Sequence, residues 1–199
     1  MPRRKPLRRF PAEVLSDAEV RALLTACGNR TIPERRNRAL LVLLYRGGLR
    51  VGEALMLQPK DLDLESGTVR VLFAKGGRSR TIGIDPFATA ELKLWLEARS
   101  ALRLDPRAPV FCSKSGRAVT TGYLRRLLPG LARRAGILKR VHAHGLRHTH
   151  ASELRTEGVD IAIISRQLGH VSIATTVRYL DHIAPASVIK AMQARAWVA

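Results

Sequence analysis

A chain of 199 residues, 46% of them hydrophobic, is long enough to bury a substantial core as one domain and too apolar to be disordered. Thirty-five Lys and Arg against 16 Asp and Glu leave a formal net charge of +19. Folding gains nothing from that self-repulsion, so a polyanionic partner, nucleic acid above all, is implied, with an anionic membrane surface or a basic surface kept for solubility as alternatives.

Residues 1–11 carry Arg3, Arg4, Lys5, Arg8 and Arg9 without one acid, a solvated basic arm or linker. The arm lacks the apolar segment of a secretory signal. No stretch of the chain reaches the ~20 apolar residues of a bilayer span. Ser16 and Glu19 have capping-box spacing and start a helix that runs to about Cys27. A second helix is predicted over 35–46, with "ALLVLLY" (39–45) buried, and Gly47 and Gly48 stop it. Cys27 and Cys112 form no CxxC motif and read as free, reduced thiols of a cytoplasmic protein.

A short helix over 51–57 follows. Arg50 and Glu53 share one of its faces at i and i+3. The pair reads either as a helix salt bridge or as a guanidinium held with a free edge outward. The glycines before Arg50 favour the second, because they let a bulky ligand approach the backbone. Two β-rich runs, 69–73 and 80–84, flank the turn "AKGGRS" and predict a hairpin. Lys75 sits in that turn, either as a solvated lysine or as a proton donor reaching into a groove. Asp85 and Pro86 then cap and open a helix to about Ser100.

A loop, a short extended segment and a helix over 121–135 follow, with a kink expected at Pro129. The last third is helical: 144–157, 160–168, 173–181 and 185–197, with Asp160 and Ser172 as N-caps. The sum is an α+β domain, mainly α, with one small antiparallel β-sheet.

The stretch "HAHGLRHTH" (142–150) is dense in imidazole. On a helix from His144, the side chains of His144, Arg147 and His148 share a face. Zinc can use His144 and His148 at i and i+4, yet Arg147 on that face repels a cation and no H-E-x-x-H glutamate is present. A core role for the histidines is the second reading. A phosphate suits both residue types better, since guanidinium offers a planar fork and imidazole a donor and a proton carrier. His170 ends one helix, and Tyr179 on the next is either a packed aromatic or a nucleophile.

In chain order these are Arg50 in "GLRVGEAL", Lys75 in "AKGGRSR", His144 and Arg147 in "HAHGLRHTHAS", His170 in "LGH" and Tyr179 in "TTVRYLDH". With this order and the nine-residue step from His170 to Tyr179, the chain resembles the tyrosine recombinase family of phage-type and chromosome-dimer-resolving integrases. The resemblance implies a catalytic domain over 12–183. It implies cleavage of double-stranded DNA by transesterification, with Tyr179 forming a 3′-phosphotyrosyl link that a hydroxyl of another strand then resolves. Arg50 and Arg147 would neutralise the transition state, His170 would hydrogen-bond the phosphate, Lys75 would protonate the leaving 5′-oxygen and His144 would act as base. Glu53 would support them. His148 is assigned to packing, and His142 and His150 have no role. No cofactor, metal or small-molecule substrate is implied. The partners are DNA and further copies of the chain, a tetramer on the DNA, with no membrane.

The family's separate N-terminal DNA-binding domain is not present in the sequence, which reads as a truncation or as a protein that works without that domain. Residues 184–199 read as a helical tail docking on a neighbouring subunit or on its own domain. A type IB topoisomerase and a non-catalytic DNA-binding regulator are the rival functions.

Overall fold

The computed structural model describes residues 13–72, 79–183 and 193. The basic arm, the turn that holds Lys75 and all of the expected tail except residue 193 lie outside them. Eight helices and a three-stranded antiparallel sheet are present among the described residues. No described helix is long and apolar enough to cross a membrane.

Helix α1 (Asp17–Cys27) starts at the capping box: Ser16 Oγ accepts from the Glu19 amide at 3.2 Å, and the Ser16 amide donates to Glu19 Oε2 at 2.7 Å. Helix α2 (Ile32–Arg46) begins three residues earlier than the periodicity predicts, because Thr31 and Glu34 form a second capping box. Every residue of "ALLVLLY" is buried, so α2 is the central helix, packed by α1, α4 (Pro86–Ser100) and α6 (Ala143–Thr156). Gly47 caps α2, and Gly48 turns the chain at φ +64° into α3 (Val51–Met56).

Strands β2 (Thr68–Val71) and β3 (Arg80–Gly83) pair in register, with Val69 opposite Ile82. A third strand, β1 (Leu62–Asp63), pairs with β2; the sequence does not announce it, because two residues are too few to show alternation. On α4, capped by Asp85 as expected, Trp95 is fully buried and its indole N–H donates to the Val110 carbonyl at 2.9 Å. Helix α5 (Thr121–Arg134) continues through Pro129 and buries Leu124, Leu128 and Leu131 at helical spacing.

The main core is built on α1 to α5 and the sheet. A smaller cluster of Ala151, Ile164, Leu168 and Leu180 joins α6, α7 (Ile161–Leu168) and α8 (Ile173–Ile183). Tyr179 and the turn after α7 lie at this second cluster, while Gly48 and Arg50 come from the main one, so the site forms at the seam between them.

Candidate active site

Each described site residue is placed by a local device. Arg50 is the N-cap of α3, and Glu53 reaches back to its amide at 2.9 Å. His142 is the N-cap of α6, its Nδ1 accepting from the Gly145 amide at 2.6 Å, which sets the phase of His144, Arg147 and His148. Gly169 ends α7 in left-handed backbone and releases His170, whose amide donates to the Ser165 carbonyl at 3.0 Å. On α8, Thr176 and Leu180 are buried at i and i+4 and turn Tyr179 inward.

Arg147 is 1% exposed and fixed by carbonyls from two directions. Its Nη1 donates to Gly48 O at 2.5 Å and its Nη2 to Leu168 O at 2.6 Å. Nη2 also meets His170 Nε2 at 3.2 Å. A guanidinium only donates, so Nε2 accepts and the His170 proton sits on Nδ1, donated to Thr176 Oγ1 at 2.8 Å. Burial and the neighbouring Arg50 charge lower the Arg147 pKa to about 10, and it remains a cation at neutral pH. Arg50 is partly exposed; its Nη1 donates to Glu53 Oε1 at 2.9 Å, and its Nη2 only grazes Gly169 O at 3.5 Å.

The Tyr179 ring lies parallel to His148 at 4.6 Å and edge-on to His170 at 5.3 Å. The His144 ring is 6.2 Å away and packs edge-on against His148 at 4.2 Å. The phenolic oxygen is buried with no hydrogen-bond partner among the described residues. Burial pushes its pKa up to about 12 against the opposing charges of Arg147 and Arg50, so the group is a neutral phenol that needs a base. Burial and the nearby cations push His144 below its ordinary value and bring His148 and His170 to about 4. At neutral pH all three imidazoles are therefore uncharged. His144 keeps an exposed edge, unlike Arg147 beside it.

The structure thus brings Arg50, Glu53, His144, Arg147, His170 and Tyr179 together, while Lys75 lies outside the described residues. His148, assigned to packing, is the ring stacked on Tyr179. His150 faces away and fills the space over Gly48. The sequence reading missed Arg80 on β3, whose guanidinium takes both oxygens of Glu53 at 3.0 and 2.8 Å. It also missed Gln167, whose amide ties Gly83 of β3 to the Gly47 carbonyl. Among the described residues no group of three or more His, Cys, Asp and Glu is placed to hold a metal. The assembly presents two fixed cations, neutral imidazoles and a phenol around one point, a set suited to an anionic tetrahedral or bipyramidal centre.

A mainly helical domain with a small antiparallel sheet and this arrangement of side chains defines the class of integrase-like catalytic folds. The chain belongs to the phage integrase family, whose model matches residues 13–184. It is 35% identical over 150 residues to the tyrosine recombinase XerC of Thermodesulfovibrio yellowstonii, covering 73% of this chain and 50% of that protein. It is 37% identical over 175 residues to the tyrosine recombinase XerD of Oceanobacillus iheyensis, covering 86% and 58%. The chain spans about half the length of the curated relatives it matches. The crystal structure of XerA recombinase superposes with a TM-score of 0.83 at 30% identity, over 96% of this chain and 68% of that one. XerH site-specific recombinase, in a post-cleavage complex with palindromic difH substrate, gives 0.75 at 28% identity, over 94% and 54%.

Proposed function

We propose that this chain is the catalytic domain of a site-specific DNA recombinase that cuts and rejoins double-stranded DNA through a 3′-phosphotyrosyl intermediate. The observation that carries the reading is the convergence of Arg50, Arg147, His170 and Tyr179 from three separate parts of the fold, with Arg147 held rigid by backbone carbonyls. Family membership and the XerH complex with its DNA substrate support it.

Tyr179 Oη attacks the scissile phosphorus; its proton passes to a base, and the 5′-oxygen leaves with a proton from an acid. Arg50 and Arg147 take the charge that gathers on the non-bridging oxygens. His144, uncharged and with an exposed edge, is the base, and reaching the phenol requires the ring contacts around His148 to shift. His170 donates to the phosphate from Nε2 after a change of tautomer that gives up the Nε2 contact with Arg147 Nη2. The Thr176 hydroxyl permits that change, because it can donate to Nδ1 as well as accept from it. Lys75 is the acid for the leaving oxygen. Glu53 supports Arg50. The reaction keeps the phosphodiester energy in the tyrosyl link, so the mechanism draws on no cofactor.

Residues 1–11 form a basic arm, 12–183 the catalytic domain and 184–199 a tail, and on DNA the chain assembles as a homotetramer. The test is a duplex nicked next to the cleavage point. The chain forms a covalent adduct that survives denaturant, and Tyr179→Phe forms none. Adduct formation by that variant at the wild-type rate would refute the assignment.

A further inference from the structure

Two guanidinium groups, those of Arg50 and Arg80, pair with one acid, Glu53, and among the described residues no other carboxylate pairs with them. The four acceptor positions of Glu53 are filled. Oε1 accepts from Arg80 Nη1 at 3.0 Å and from Arg50 Nη1 at 2.9 Å. Oε2 accepts from Arg80 Nη2 at 2.8 Å and from the Arg50 amide at 2.9 Å. Arg80 therefore holds the two-toothed edge of the carboxylate, and Arg50 is left with a single side-chain bond to it.

Arg80 is itself clamped. Its guanidinium lies 2.7 Å from where a Cβ of Gly169 would be, a space that only glycine leaves open, and its Nε points at the Gln167 carbonyl at 3.4 Å. Gln167 in turn bonds Gly83 on the same strand. The strand, the end of α7 and Glu53 thus hold the Arg80 side chain from three sides.

The consequence is electrostatic. Arg50 with Glu53 alone would be a neutral pair, and a bidentate carboxylate is among the strongest partners a guanidinium finds. A phosphodiester would have to compete with it. With Arg80 on that edge the trio carries one net positive charge, and Arg50 keeps donors to spare. We propose that Arg80 is a positioning residue for DNA cleavage: it satisfies Glu53 and so keeps that carboxylate from capturing Arg50, whose charge stays available to the scissile phosphate. This rests on the recombinase reading above. It assigns Arg80 no contact with DNA.

The test uses the full chain and nicked duplexes that the unaltered protein captures covalently from a random pool, with adduct formation followed in single turnover at saturating protein. Arg80→Met takes the trio from one positive charge to none, and the rate is expected to fall about 100-fold, the loss typical of one misplaced donor. Arg80→Met combined with Glu53→Gln restores the positive charge and is expected to recover at least about tenfold, a positive coupling between the two sites. Arg80→Lys keeps the charge without the fork and should stay within about tenfold of the unaltered chain. A double variant as slow as Arg80→Met, or slower, overturns the proposal, because with the carboxylate's charge gone nothing is left to capture Arg50. If Arg80→Met does not fold, Arg80→Lys carries the decision, and a 100-fold loss there overturns it equally. An unaltered chain that captures no DNA refutes the recombinase reading and takes this proposal with it. Capture by the unaltered chain with Arg80→Met undiminished refutes this proposal alone.

Discussion

Gly48 stands at φ +64° between α2 and α3, and its carbonyl accepts from Arg147 Nη1. A Cβ at this position would lie 2.5 Å from His150 Cδ2 and 3.1 Å from Leu168 Cδ2. Both neighbours are buried, at 5% and 0% exposure, so neither side chain can swing into solvent to make room. For Gly48→Ala the left-handed backbone costs about 1–2 kcal/mol. The forced repacking adds about 1–3 kcal/mol. Taken together the loss is about 3 kcal/mol, which in a domain of this size lowers the melting temperature by roughly 6–12 °C. Gly130 on α5 is the control: nothing lies within 4 Å of the place a Cβ would take there, and Gly130→Ala should stabilise by about 0.8 kcal/mol. Urea unfolding followed by far-ultraviolet circular dichroism reads both. The adduct assay on the folded Gly48→Ala protein should also slow, because the displaced carbonyl is one of the two that fix Arg147. A loss below about 1 kcal/mol for Gly48→Ala would refute the claim that the turn tolerates only glycine.

Burial holds His148, His150 and His170 neutral, each with its pKa brought from 6.5 to about 4. Their contribution to stability is complete above pH 6.5 and is lost as the pH falls from there to 4, where the unfolded chain binds protons that the folded one refuses. His150, with Nε2 unpartnered among the described residues, accounts for on the order of 3 kcal/mol of that acid limb; His150→Leu should make it shallower while His148 and His170 keep the rest, and an unchanged slope refutes the assignment. Arg147→Lys loses the fork that spans Gly48 O and Leu168 O, and adduct formation should fall at least about 100-fold in protein that still unfolds cooperatively; a rate within tenfold argues against a fixed guanidinium. With a formal charge of +19, DNA affinity should drop roughly 1000-fold between 50 and 200 mM salt if about six phosphates are contacted; a fall below tenfold means the charge serves something else.

Much of the fold was readable locally. The Ser16–Glu19 box, the Asp85–Pro86 start and the Gly47 stop each depend on neighbours a few residues apart, and each is where the sequence puts it. The start of α2 was readable too, since Thr31 and Glu34 have the same box spacing, but Pro33 in the first turn obscures the apolar period. His142 was not readable as a cap, because imidazole is an uncommon occupant of that position. The site residues named from motif order, Lys75 aside, meet in space, yet their order says nothing of which ring stacks on which. His148 against Tyr179 and His150 against Gly48 are two residues apart on one helix and face opposite sides.

The sequence alone determined the residue types gathered here and, the His142 cap apart, the local frames of those described, because capping, helical phase and left-handed turns are decided over three or four residues. Only the tertiary structure decided how the charges are shared. Arg80 on its strand looks like any half-exposed arginine until α3 and the end of α7 are packed beside it. Whether a carboxylate binds one guanidinium or two depends on tenths of an ångström between elements far apart in the chain, and that distance is a property of the packed core.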